Sequence, residues 1–222
     1  MTSITLPSPA KLNLFLHING RLPNGYHELQ SLFHFLNYGD ELTFELLEKP
    51  SFQLSCNLKD LENDDNLIAK SVTALKTYLS KDSTFQGVKI HLNKILPMGG
   101  GVGGGSSNAA TTLLALNHLW QLKLTEQQLI HIGNKLGADI PIFIKGQTSI
   151  AEGTGEKLTP YTINEKYYLV LTPDQHVNTA LLFGSENLSR NTPKIDNSQI
   201  NYRGITPDFS NDFQSLVYKQ YP

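Results

Sequence analysis

Apolar and polar residues alternate along residues 10–19, with Leu12, Leu14, Leu16 and Ile18 on one side and Lys11, Asn13, Phe15 and His17 on the other. A period of two predicts a half-buried strand on which Lys11 and Asn13 share a face. Pro23-Asn24-Gly25 marks a turn before Tyr26 and His27. Residues 41–47 read as another strand, with 52–55 as its pairing partner. Asp64-Asp65-Asn66 precedes Leu67, Ile68, Val72, Leu75 and Leu79 at helical spacing, which predicts a helix. Val88, Ile90 and Leu92 alternate as a strand, and the Ala- and Leu-rich residues 108–122 predict a second helix. Thr125-Glu-Gln-Gln128 is a capping box that opens a third helix, ending near Gly137. Past residue 146 the pattern turns to strands at 148–152 and 167–171, and residues 184–212 read as mostly loop. Helices and strands mix without strict βαβ alternation. That predicts an α+β fold, dividing near 146–153 into domains 1–150 and 151–222.

Composition narrows the function classes. The 222 residues carry 18 Lys+Arg against 20 Asp+Glu, a net charge of −2, with no basic run, which argues against a nucleic-acid partner. The single cysteine, Cys56, excludes an internal disulfide framework and a Cys-rich zinc site and fits a reducing compartment. Residues 1–13 lack the pattern of a signal peptide, and no apolar run approaches the length of about 18 residues needed to span a bilayer. A cytoplasmic protein without a membrane partner is expected.

Six of the seven residues 99–105 are glycine, set between a predicted strand and a predicted helix. Glycine lets backbone approach a ligand closely and take up positive φ. A helix starting at Ser106 would point free N–H groups and its positive dipole end into that loop, the makings of a phosphate cradle. The loop is no dinucleotide fingerprint, since it comes late in the chain and residues 121 and 123 are Gln and Lys where an acid is needed. It lacks the Gly-Lys-Ser/Thr of nucleoside triphosphatases, and the protein-kinase signatures are absent.

Pro97-Met-Gly-Gly-Gly-Val-Gly-Gly-Gly-Ser-Ser-Asn-Ala-Ala110 resembles the central motif of the GHMP small-molecule kinases. Ser8-Pro-Ala-Lys-Leu-Asn-Leu14 with Arg21-Leu-Pro-Asn-Gly-Tyr-His-Glu-Leu29, and Leu136-Gly-Ala-Asp-Ile-Pro-Ile-Phe143, resemble the signatures of the branch acting on a CDP-linked methylerythritol in the non-mevalonate isoprenoid pathway. The resemblance implies a two-domain α/β sandwich, its first domain similar to a ribosomal-protein fold and its second an incomplete ferredoxin-like domain. It implies transfer of the γ-phosphoryl of ATP to the substrate 2-hydroxyl, with Mg²⁺ assisting, by a monomer or homodimer.

By the same resemblance Asp139 is the base and Lys11 its electrostatic partner. Asn13, Tyr26, His27, Phe33, Thr179 and Phe183 form the substrate pocket, with Tyr26 and Phe183 sandwiching the cytosine. Asn66 and Lys94 lie near adenine and ribose. Pro97, Met98, Gly99, Gly100, Gly101, Val102, Gly103, Gly104, Gly105, Ser106 and Ser107 wrap the triphosphate. Taken alone, Asp139 reads equally well as a loop cap, whereas the pattern favours Lys11 as a solvent-face lysine and the two Phe residues as core. Metal ligands are not identified, although a hydroxyl of Ser106 or Ser107 suits Mg²⁺.

Val102 stands where the family usually has Leu, and Asn108 where Asp is common. The family's glycine-rich third motif is missing before Lys219-Gln-Tyr-Pro222, so a truncated second domain and much reduced kinase activity are expected. A catalytically impaired nucleotide-binding fragment, and a kinase for another small alcohol, stand as alternatives.

Overall fold

The structure, a computed structural model, describes residues 3–79, 86–173, 175, 177–200 and 209–221. The chain forms two compact units that interleave in sequence: Met1–Ala10, Leu36–Leu96 and Gly103–Gly146 make the first, and Lys11–Phe35, Pro97–Val102 and Gln147–Pro222 the second. Strands β1 (Ser3–Arg21) and β2 (His27–Leu47) each run through both. The expected α+β class is what forms.

In the first unit, β4 (Gly87–Asn93) pairs antiparallel with the end of β2, Phe44 facing Ile90, while β3 (Phe52–Cys56) pairs parallel with β4. The expected pairing of 52–55 with 41–47 is therefore corrected, because β4 lies between them. Its Val88, Ile90 and Leu92 are fully buried, as suits a central strand, whereas the short β3 takes the edge. Close approach of β1 to β2 requires Gly39, where a Cβ would fall 2.2 Å from the carbonyl oxygen of Ser8.

Helix α1 (Leu67–Lys76) starts where expected, Asn66 Oδ1 accepting from the Ile68 N–H at 2.9 Å, but ends before Leu79. Helix α2 (Gly104–Leu119) begins four residues earlier than its Ala- and Leu-rich run, inside the glycine stretch. In α3 (Glu126–Leu136) the reciprocal Thr125–Gln128 capping box forms as read. A short helix, α4 (Ile140–Lys145), with Pro141 in its first turn, escaped the sequence pattern. Helix α2 packs on α1 and α4, and α3 on α4, and Ile68, Val72, Leu75, Leu113, Leu116 and Ile140 on these helices are fully buried.

In the second unit, the start of β2 pairs antiparallel with β5 (Ser149–Gly153), Leu32 facing Ile150, and β5 continues to β6 (Lys157–Pro160). The middle of β1 is buried on both faces, Leu14 and Ile18 on one and Phe15 and His17 on the other, not half-buried. Leu14, Phe15, Leu32, Ile150 and Ile200 form one apolar cluster. Ile18 joins Leu182, Leu188, Phe213 and Leu216 in a second, which α5 (Thr179–Gly184) and α6 (Gln214–Gln220) help to build. The strand expected at 167–171 does not form. Tyr168 packs against the first cluster, but Tyr167, Leu169 and Leu171 are 106%, 89% and 79% exposed. Residues 184–200 and 209–212 are mostly loop, as read, while 201–208 lie outside the described residues. Among the described residues no helix is long and apolar enough to cross a membrane.

Candidate active site

The glycine stretch has a regular backbone rhythm. Gly99, Gly101 and Gly103 take φ of 71°, 72° and 75°, while the residues between them do not enter positive φ. Alternation of left-handed with other conformations turns successive N–H groups inward and makes an anion-binding concavity. Gly103 is also the N-cap of α2, so the concavity leads into a sixteen-residue helix whose first turn carries free N–H groups and the positive dipole end. Pro97 and Met98 precede the loop and are exposed, Gly100 and Gly105 are exposed, and Val102 is buried, its carbonyl accepting from the Lys11 N–H at 2.9 Å.

Close packing governs the exit from the loop. A Cβ on Gly104 would lie 3.1 Å from Lys94 Nζ. Ser107 is 1% exposed and accepts from the Ser8 hydroxyl at 2.8 Å, whereas Ser106 is only partly buried. A methyl on Gly137 would sit 4.0 Å from Ser106 Oγ. The segment carrying Asp139 is thus packed on the first turn of α2. Asp139 is the N-cap residue of α4, yet its side chain makes no capping bond to that helix.

Lys94 is buried, donating to Asp40 Oδ2 at 2.8 Å and to the carbonyl of Leu96 at 2.6 Å. Asn66 spends its side chain on the α1 cap and on the Leu61 carbonyl. Asp40 stands just before the strand read at 41–47 and was not among the sequence-predicted site residues. Burial is the only signal that marks it, and burial cannot be read from one sequence.

The second unit assembles Lys11, Asn13 and Phe33. Lys11 is 5% exposed; its Nζ donates to Asn13 Oδ1 at 2.5 Å and lies 5.2 Å from the centroid of the Phe33 ring. Asn13 donates onward to Ser31 Oγ at 2.8 Å, and Ser31 to the Phe15 carbonyl at 2.7 Å. A buried ammonium costs heavily unless hydrogen-bonded, and the amide oxygen and ring face both help to meet that need here. Because the strand is buried on both faces, the solvent-face alternative for Lys11 does not hold.

His27 and Phe183 also meet, their rings stacked at 5.0 Å, and Phe183 stands edge-on to Phe213 at 4.8 Å. Arg190 Nε donates to His27 Nε2 at 2.9 Å. Burial, then the charges of Arg190 and Arg21, hold His27 below its ordinary pKa. Tyr26 is 66% exposed on the turn, and Thr179 is exposed at the start of α5. Among the described residues no group of three or more His, Cys, Asp or Glu gathers to hold a metal ion.

Comparison with known proteins places these features in a lineage. Residues 66–147 match the GHMP kinases N terminal domain. The whole chain is 52% identical to 4-diphosphocytidyl-2-C-methyl-D-erythritol kinase of Marinobacter nauticus, spanning 77% of that protein. It is 50% identical to the enzyme of the same name from Shewanella loihica, covering 99% of this chain and 75% of that one. A crystal structure of 4-(cytidine 5'-diphospho)-2C-methyl-D-erythritol kinase superposes with a TM-score of 0.77 at 29% identity, over 99% of this chain and 79% of the other. The fold is that of the GHMP kinases, and the chain belongs to the 4-diphosphocytidyl-2-C-methyl-D-erythritol kinase family.

Proposed function

We propose that this chain carries out the reaction its relatives are named for: ATP-dependent phosphorylation of the 2-hydroxyl of 4-diphosphocytidyl-2-C-methyl-D-erythritol. The observation that carries the reading is the left-handed alternation at Gly99, Gly101 and Gly103 running into α2, with the Asp139 segment packed on that helix's first turn. The loop and helix start cradle the triphosphate, whose charge the backbone N–H groups meet without side chains in the way. The substrate oxygen forms a bond to the γ-phosphorus as the bond from that phosphorus to the bridging oxygen of ADP breaks. Asp139 takes the hydroxyl proton late in the transfer. Lys11, on the strength of the Ser8–Leu14 signature, supplies positive charge against the developing anion.

Ser107 is buried and hydrogen-bonded to Ser8, so of the two serines Ser106 suits an ion at the phosphates. Bound Mg²⁺ would neutralise phosphate charge there. Tyr26 and Phe183 sandwich the cytosine, with His27, whose ring stacks on Phe183, and Asn13, Phe33 and Thr179 completing the substrate contacts. Asn66 and Lys94 border the nucleotide. The same proposal has the chain act in the cytoplasm, as a monomer or homodimer, without nucleic acid or membrane as partner.

Substitution Asp139→Asn tests the reading. Substrate-dependent ADP release is expected to fall by about 10²-fold or more, while calorimetric binding of a non-hydrolysable ATP analogue stays within about threefold of wild type. Undiminished turnover in Asp139→Asn would overturn the catalytic assignment. A wild-type chain that binds neither the analogue nor the cytidine substrate would overturn the function itself.

A further inference from the structure

We propose that Asp40 is a positioning residue for the phosphate loop, a role that rests on the kinase reading above. Its carboxylate is buried in the middle of β2, with the side chain 0% exposed. Four donors converge on it. Oδ1 accepts from the N–H groups of Ile95 and Leu96, both at 2.7 Å. Oδ2 accepts from Lys94 Nζ at 2.8 Å and from Asn108 Nδ2 at 3.0 Å.

These donors come from opposite ends of the glycine stretch. Residues 94–96 lead into it, and Asn108 lies in α2 just beyond its exit. One carboxylate therefore fixes where the loop begins and where the helix that receives the phosphates starts. A chain of consecutive glycines cannot hold that span itself, because glycine brings the most backbone freedom to be lost on ordering. Asn108 extends the anchor by donating to Ser8 Oγ at 2.9 Å, and Ser8 in turn donates to Ser107 on the first turn of α2.

Lys94 completes the arrangement by cancelling the charge of Asp40. The carboxylate lies beneath the start of α2, where a Cβ on Gly104 would be 3.5 Å from Oδ2. Left unpaired, a negative charge there would repel the phosphates that the helix start attracts. The ion pair keeps the hydrogen-bond acceptor and removes its field.

The test compares Asp40→Asn and Asn108→Ala with wild type, at a temperature well below each melting midpoint. Hydrogen exchange is followed at the Ile95 and Leu96 amides, and calorimetry gives the affinities for a non-hydrolysable ATP analogue and for the cytidine substrate. In Asp40→Asn, exchange at Ile95 and Leu96 is expected to accelerate and analogue affinity to fall about tenfold, the scale of a lost charge-assisted hydrogen bond. Affinity for the cytidine substrate is expected to stay within about twofold. Removing the carboxylate charge by itself favours an anion at this place, so a weaker analogue affinity reports lost geometry and not lost electrostatics. Asn108→Ala keeps the ion pair and is expected to weaken the analogue alone by a smaller factor; it carries the same comparison should Asp40→Asn not fold.

Unchanged analogue affinity in both variants overturns the proposal. So does a parallel loss of both affinities that follows the melting midpoint. A wild-type chain that fails to bind the analogue overturns the kinase reading instead, a result in hand before any variant is compared.

Discussion

The guanidinium of Arg190 donates through Nε to Nε2 of His27 at 2.9 Å, which makes that ring nitrogen an acceptor and places the imidazole proton on Nδ1. The other Arg190 nitrogens donate to the carbonyls of Phe183, Ser185 and Leu188, so one side chain ties the end of α5 to the ring that Phe183 stacks upon. His27 is neutral in this arrangement.

Its titration follows. Burial lowers the His27 pKa below 6.5, and Arg190 and Arg21 lower it further. Because the folded value lies below the unfolded one, the contribution of His27 to stability is whole above pH 6.5 and is lost as pH falls through the window beneath it. Proton NMR of the wild type is expected to show His27 titrating below 6.5. Arg190→Leu is expected to move that titration upward without fully restoring it, since burial remains the larger cause. A His27 that titrates at or above its ordinary value in the wild type would contradict the assignment.

Lys11→Met separates chemistry from packing. Replacing the buried cation with an apolar side chain of similar length removes its desolvation penalty but leaves Asn13 Oδ1 without this donor, and the two effects partly offset. The melting temperature is expected to shift by only a few degrees, equivalent to about 1 kcal/mol. Substrate-dependent ADP release is expected to drop by about 10²-fold, the scale of a lost electrostatic stabiliser. Equal turnover in mutant and wild type would remove Lys11 from the reaction.

Gly101→Ala probes the loop backbone alone. Nothing lies within 4 Å of the place its Cβ would occupy, so packing is not at issue, but its φ of 72° disfavours a side chain. Stability is expected to fall by about 1–2 kcal/mol, read by urea denaturation. Affinity for the ATP analogue is expected to weaken more than stability alone explains, because the new methyl enters a surface that must meet phosphate closely.

Gly133→Ala tests the contact between α3 and α4. A Cβ there would lie 2.7 Å from Ile140 Cγ2 and 2.8 Å from Ile144 Cδ1. Alanine favours the helix over glycine by about 1 kcal/mol, but overpacking costs about 1–3 kcal/mol. Steric cost wins, and a lower denaturation midpoint is expected. A raised midpoint would show that α4 shifts freely.

Features specified within a few residues were legible in the sequence. The Thr125–Gln128 capping box and the Asn66 start of α1 are local hydrogen bonds, and both form. The glycine stretch was legible as a cradle because left-handed backbone at Gly99, Gly101 and Gly103 is what glycine alone tolerates cheaply. Strand β2 hid most of its length, since Gln30, Ser31 and Asp40 interrupt its apolar pattern while fully buried. Their partners are distant: Gln30 bonds to the Ile195 carbonyl and Asn197, and Ser31 to the Phe15 carbonyl. Such pairings satisfy polar groups that look like surface in one dimension. The apolar run at 167–171 misled for the opposite reason, because alternation specifies a strand's faces but not whether a neighbour pairs with it.

Tyr167, Leu169 and Leu171 hold three large apolar side chains in water on five consecutive residues. With a net charge of only −2, the chain has little long-range repulsion to keep such stretches from meeting. Exposed apolar stretches of this kind favour association between chains, and sulfate-rich buffers, which strengthen apolar association, are expected to increase it.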